Sequence, residues 1–151
     1  MNKVKLLIAT LLSAIFLASC GGDMKDWPYV NLDISIENAS YVYIDYQNRE
    51  DDSLSYQCYS NQVDTINGVH NYLESFHVSE KIYSKDVSDF NRKFTIYFVF
   101  DDNSIYDFKA YYYSGATTYF MYNDELRFFS ADFGSSMNNY IKRHTSEFTF
   151  Y

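Results

Sequence analysis

The chain is 151 residues long and carries 20 Asp+Glu against 12 Lys+Arg, a formal net charge of −8, with aromatics at 21% of residues. That length suits one domain, and so acidic a chain lacks the basic footprint that nucleic acid requires. Five glycines leave little material for a phosphate-cradling loop.

The first twenty residues differ from everything after them. Lys3 and Lys5 form a positive start, Leu6 to Phe16 is an apolar stretch broken by Thr10 and Ser13, and small residues follow at Ala18 and Ser19. This is the grammar of a signal peptide, and the stretch is shorter than the roughly 20 residues needed to span a bilayer. Its end, Leu17-Ala18-Ser19-Cys20, resembles the lipobox of bacterial lipoproteins. The resemblance implies that residues 1–19 are removed and that Cys20 becomes a lipidated N-terminus in the cell envelope, facing the periplasm or the cell surface. One acyl chain holds a protein only marginally, at about 0.8 kcal/mol per buried CH₂, whereas two or three anchor it durably.

Lys3 and Lys5 leave with the signal, so the 132 residues from Cys20 onward hold 10 Lys+Arg against 20 Asp+Glu, a formal charge of −10. With Cys20 committed to lipid, Cys58 has no internal partner. Its strand-like surroundings favour a buried thiol over an intermolecular bridge. Residues 20–28 read as the lipidated cysteine and a short tether, in which Gly21 to Pro28 reaches at most about 26–29 Å. Trp27 suits the membrane interface or the edge of the domain core, the second being favoured. Residues 29–151 then form a single domain.

From Leu32 the pattern has period two. Val30, Leu32, Ile34 and Ile36 alternate with polar residues, and Val42, Ile44 and Tyr46 lie opposite Tyr41, Tyr43 and Asp45. The polar run Gln47 to Ser53 predicts a hairpin turn, with Leu54 to Ser60 returning as a strand. Ser60 to Glu80 changes period. There Val63, Ile66, Val69, Leu73 and Phe76 make one apolar stripe of a helix, with Ser60 or Asn61 as its cap. Arg92 to Ser130 predicts an antiparallel meander, turning at Asp101-Asp102-Asn103-Ser104, Ser114-Gly115-Ala116 and Asn123-Asp124. A last helix over Asp132 to His144 presents Phe133, Met137, Tyr140, Ile141 and His144 on one face, with Asp132 as its cap. The expected class is α+β: a mostly antiparallel, meander-rich sheet of about five to six strands, with two helices packed on one face.

All 17 tyrosines lie beyond the signal. On the sheet face away from the helices, Tyr97, Tyr111 and Tyr113 are expected to stand among Thr95, Asp107 and Lys109. Exposed tyrosines give rigid contact area with a polar tip, the material of recognition surfaces, and their rings also stack on sugars. Tyrosine also simply suits a half-solvated strand. His70, Glu74 and His77, at i, i+4 and i+7, are weak candidates for a zinc site, because packing at the rim of the helix stripe explains the two histidines equally well. Glu50-Asp51-Asp52 and Asp101-Asp102 fall at expected turns and lack the alternating ligands of a calcium loop. Position 138 is Asn, so Ser136 is not in a G-x-S-x-G nucleophile elbow.

These readings converge on a non-enzymatic, lipid-anchored binding domain needing no cofactor, with a protein or saccharide partner at an acidic, tyrosine-rich sheet face. An inhibitor or immunity-type protein acting on a basic enzyme, an envelope assembly subunit and a hydrolase with an unrecognised site are the alternatives. Metabolic labelling with a lipid precursor is expected to mark the wild-type chain and to be lost in Cys20→Ala. Retained label would refute the anchor.

Overall fold

The computed structural model describes residues 27–84, 86–112, 118–122, 125–129 and 133–151. Cys20, the signal, Tyr113, the turns at 114–116 and 123–124 and the expected cap Asp132 lie outside these residues.

Among the described residues eight strands form one sheet: β1 (Ala39–Asn48), β2 (Tyr56–Ser60), β3 (Val78–Ile82), β4 (Arg92–Phe100), β5 (Ile105–Tyr112), β6 (Thr118–Tyr122), β7 (Glu125–Phe129) and β8 (Thr149–Phe150). Their order is β3-β7-β6-β5-β4-β1-β2-β8, and every pairing is antiparallel. The α+β class holds, while the expected five to six strands are too few. Two strands escaped the pattern. The two-residue β8 is too short to show a period, and β3 begins inside the run expected to be helical.

That helix, α1, covers only Val63–Glu74 rather than reaching Glu80. Its stripe is real, since Ile66, Val69 and Leu73 are buried, but Val63 at its start is exposed. Gln62 occupies the cap position without a side-chain hydrogen bond, in place of Ser60 or Asn61. Beyond Glu74 the chain turns into β3, whose partner β7 is a distant segment and so invisible to a local pattern. The period-two run from Leu32 is also corrected. Val30 and Leu32 are buried and Ile34 and Ile36 pack on the same core, yet residues 31–36 form no strand. Asp33 adopts φ 51° and interrupts the extension. The segment's one pairing is the isolated antiparallel bridge Tyr29–His77, in which Val30 N–H donates to the Phe76 carbonyl at 2.8 Å, and beyond it Leu32 N–H donates to Glu74 Oε1 at 3.1 Å. The segment is a strap that buries one side without joining the ladder.

The second helix, α2 (Phe133–Arg143), buries Phe133, Met137 and Ile141. Both helices cover one sheet face, where Val42, Ile44, Phe94, Ile96, Phe98, Phe108 and Phe120 belong to the same core. Phe133 is the central wedge: its ring stands 5.2 Å from Phe76, 5.8 Å from Phe94 and 5.9 Å from Phe108. Such edge and tilted aromatic contacts add about 0.5–1.5 kcal/mol each beyond burial. Helix α2 can lie this low because residue 134 lacks a side chain. A Cβ there would stand 2.3 Å from the Tyr112 ring.

The opposite face is partly covered. Phe90, Tyr119 and Leu126 are buried in a second, smaller cluster with Tyr83, Tyr111, Met121 and Phe128 packed around them. The segment after β3 supplies Tyr83 and Phe90, and Arg49 Nη1 pins it by donating to the Ser88 carbonyl at 3.0 Å. Trp27 joins this side edge-on to Phe128 at 5.3 Å, while its carbonyl meets His77 Nδ1 at 2.7 Å. Trp27, expected in the tether, therefore contacts the domain through both its ring and its backbone. Among the described residues no helix is long and apolar enough to cross a membrane.

Gly134→Ala is expected to destabilise the fold by about 1–2 kcal/mol. Overpacking against a buried ring costs about 1–3 kcal/mol and outweighs a helix-propensity gain of at most about 1 kcal/mol. Urea unfolding checks this, and an unchanged or higher midpoint would contradict the close packing of α2 on Tyr112.

Candidate functional site

The part of the far face left open lies over β8, β2, β1 and β4. Because residues at i and i+2 share a face, the register of these strands decides which tyrosines meet. Tyr43 of β1 pairs with Tyr59 of β2 on one side and with Tyr97 of β4 on the other, and Thr149 and Asp107 extend the row. With strands about 4.8 Å apart, the three phenols span about 10 Å of surface. The Tyr43 and Tyr97 rings lie 5.8 Å apart at 46°. Tyr41 stands edge-on to Tyr59 at 6.5 Å, and Tyr151 stacks on Tyr59 at 5.7 Å and 18°.

The next row is polar. Asp45 pairs across the sheet with Gln57 and Thr95, and Thr95 with Lys109. Asp45 accepts hydrogen bonds from Gln47 Nε2 at 2.8 Å and Gln57 Nε2 at 3.4 Å. Lys109 is ion-paired with Asp107. The hydrogen bond to Asp107 raises the Lys109 pKa, so the ammonium persists but its charge is neutralised locally. Burial, and then the nearby Asp45 carboxylate, raise the Tyr43 phenol. The ladder thus presents neutral hydroxyls, ring faces and oriented amides, which suit recognition.

The expected set is only partly brought together. Tyr97 stands in the ladder and Lys109 beside it. Tyr111 is two rows away, about 13 Å along the strands, and belongs to the covered half. Its ring lies 5.9 Å from Phe90, the Lys93 ammonium lies 6.0 Å from its centroid, and burial is the main cause of its raised pKa. The sequence reading missed Tyr41, Tyr43, Tyr59 and Tyr151 as site residues. Alternation in β1 already placed Tyr41 and Tyr43 opposite Val42 and Ile44, but nothing local says that β1 lies between β2 and β4.

The three weak zinc candidates do not converge. Helix α1 ends at Glu74, so His77 is not on it; His77 stacks on Tyr29 at 4.2 Å and bonds the Trp27 carbonyl. Glu74 is occupied by the Leu32 amide, and His70 Nδ1 lies 3.8 Å from its other oxygen, too long for a hydrogen bond. His70 is instead buried edge-on to Phe98 at 6.0 Å. Among the described residues no group of three or more His, Cys, Asp or Glu is placed to hold a metal.

The acidic turns have structural partners. Asp51 caps the 3-10 turn Asp52–Leu54, and Glu50 pairs with Arg92 at 3.0 Å. Asp102 accepts from the Ser104 amide at 2.9 Å, next to Asn103 at φ 65°. Two surface hollows border this architecture. One of about 360 Å³ lies between the strap and the β4–β5 turn, lined by Ile34, Asn38, Phe100 and Asp101 among others. One of about 480 Å³ lies at the β1–β2 hairpin end, reaching Asp45, Gln57 and Tyr151.

No family model matches the chain, and no curated protein or solved structure matches it either.

Cys58 faces the core from β2, fully buried and unpaired. Burial pushes its thiol up to about 12 from an ordinary 9.0. The folded state therefore keeps a proton that the unfolded chain loses. Its contribution to stability is complete below pH 9 and is lost as pH rises towards 12. Urea midpoints measured from pH 8 to 10 are expected to fall in the wild type, and to fall less steeply in Cys58→Ala. Equal slopes would count against the buried neutral thiol.

Proposed function

We propose that this chain is a lipid-anchored, extracytoplasmic, non-enzymatic binding domain of the bacterial cell envelope. Acyl chains on Cys20 hold it, and its ligand lies across the ladder of Tyr59, Tyr43 and Tyr97. The observation that carries the reading is that ladder. Three phenols from three strands stand in one row on the part of the sheet that neither helix nor the segment around Phe90 covers.

The lipobox resemblance at Leu17-Ala18-Ser19-Cys20 supports the anchor. If Cys20 is lipidated, residues 21–26 connect it to Trp27 with a reach of at most about 20–22 Å. Trp27 packs on Phe128 of β7, and β7 lies four strand spacings, about 19 Å, from Tyr43 on β1. A membrane reached through the tether therefore need not cover the ladder. The body, at −10 beyond the signal, is repelled by anionic headgroups and stands off them.

Crosslinking of the tagged full chain in its native cells is expected to capture a discrete partner or glycan. A Tyr43→Ala, Tyr97→Ala variant with unchanged circular dichroism should lose at least about ten-fold of that yield, as truncation of aromatic anchors commonly does. Undiminished capture by the folded variant would eliminate the ladder as the binding surface.

A further inference from the structure

We infer that the hollow at the β1–β2 hairpin end is a saccharide subsite, taking one pyranose ring against Tyr151 and its hydroxyls on Asp45, Gln47 and Gln57. This deepens the reading that the tyrosine face binds a ligand, and it rests on that reading.

Tyr151 is the first observation. The residue is 78% exposed, yet both its backbone and its ring are held. Its backbone N–H donates to the Gln57 carbonyl at 3.0 Å, and its ring stacks on Tyr59 at 5.7 Å. An aromatic plane held in place and left open is a platform that loses little entropy when something stacks on it. The second observation is the oriented polar trio beside it. Asp45 spends one acceptor site on each of two amides, Gln47 at 2.8 Å and Gln57 at 3.4 Å. A carboxylate offers about four such sites, and both amide oxygens remain as acceptors of defined orientation. Adjacent sugar hydroxyls, each donor and acceptor at once, match such a set.

Size and charge narrow the ligand. The hollow holds about 480 Å³, within the range of about 300–1,000 Å³ of small-molecule sites. Its lining includes Asp45, Asp52 and Arg49. Arg49 Nη1 is turned to the Ser88 and Phe90 carbonyls at 3.0 and 3.5 Å, so the carboxylates dominate and an anionic sugar or phosphate is disfavoured. A pyranose with all its ring hydroxyls equatorial exposes flat C–H faces that lie on a phenol ring. An axial hydroxyl blocks one of the two faces and leaves the other free to stack, so the Tyr151 ring favours the all-equatorial gluco configuration without excluding others.

The test is titration of the isotope-labelled mature chain with cellotetraose and with chitotetraose, followed by NMR. Side-chain amide signals of Gln47 and Gln57 are expected to shift with a Kd of about 1 mM for at least one of the two sugars. Tyr151→Ala and Gln57→Ala should each weaken binding at least about ten-fold, while Val63→Ala on the exposed start of α1 should leave it unchanged. Absence of shifts with both sugars overturns the subsite, as do shifts that survive Tyr151→Ala. Shifts confined to Tyr43 and Tyr97 would leave the ladder standing and remove the hollow. Salt-sensitive binding of trilysine at Gln47 and Gln57 in place of sugar would assign the site to a basic peptide and refute the inference. Crosslinking that depends on Tyr43 and Tyr97, with no sugar bound, separates failure of the subsite from failure of the binding face.

Discussion

The pairing of β1 with β4 is the constraint on which the rest of the molecule depends. These are the two longest strands, side by side at the centre of the sheet, and their register sets Ile44 against Ile96 and Tyr46 against Phe94. Side chains alternate with a period of two, so a slip of one residue would send the whole buried set to the other face. The same register that buries Val42, Ile44, Phe94, Ile96 and Phe98 therefore also lines up Tyr43 with Tyr97 outside. Core and candidate site are two readings of one set of hydrogen bonds.

The two faces are finished differently. Helices α1 and α2 close the inner face around aromatic packing in which Phe133 meets Phe76, Phe94 and Phe108. The helices also approach each other closely: a Cβ on Gly68 would meet the Tyr140 hydroxyl at 2.6 Å, and Tyr140 stacks on Tyr72 at 4.5 Å. On the outer face, a segment carrying Tyr83, the 3-10 turn Val87–Asp89 and Phe90 covers only the half made by β5, β6 and β7. The uncovered half keeps its tyrosines partly solvated, which a phenol tolerates because its ring packs on a neighbour while its hydroxyl stays wet.

This division gives the functional proposal its physical content. Tyr111 and Tyr97 look alike along the chain, but one is packed under Phe90 and the other belongs to an open row. Polar residues next to that row are tied to each other, as Asp45 is to Gln47 and Gln57, so they hold their orientation before any ligand arrives. The proposed tethered binding domain would use such a prepared surface and would need no membrane-binding patch of its own.

The sequence by itself determined the elements whose signals are local. The hairpin from β4 to β5 was legible in its alternation and its Asp101-to-Ser104 turn, and the cores of α1 and α2 in their three- and four-residue spacing. The burial of Val30 and Leu32 was legible too, but not the form it takes. Alternation says that one side is apolar and does not say whether a neighbouring strand waits to pair, and there the backbone found Glu74 and Phe76 instead. Only the tertiary structure decided that β3 leaves the helix to join β7, that His77 faces Trp27 and not His70, and that Tyr59, Tyr43 and Tyr97 share a row. Each of these depends on which distant segments become neighbours. That choice is made by burial and register summed over the whole sheet, and no short window of residues contains it.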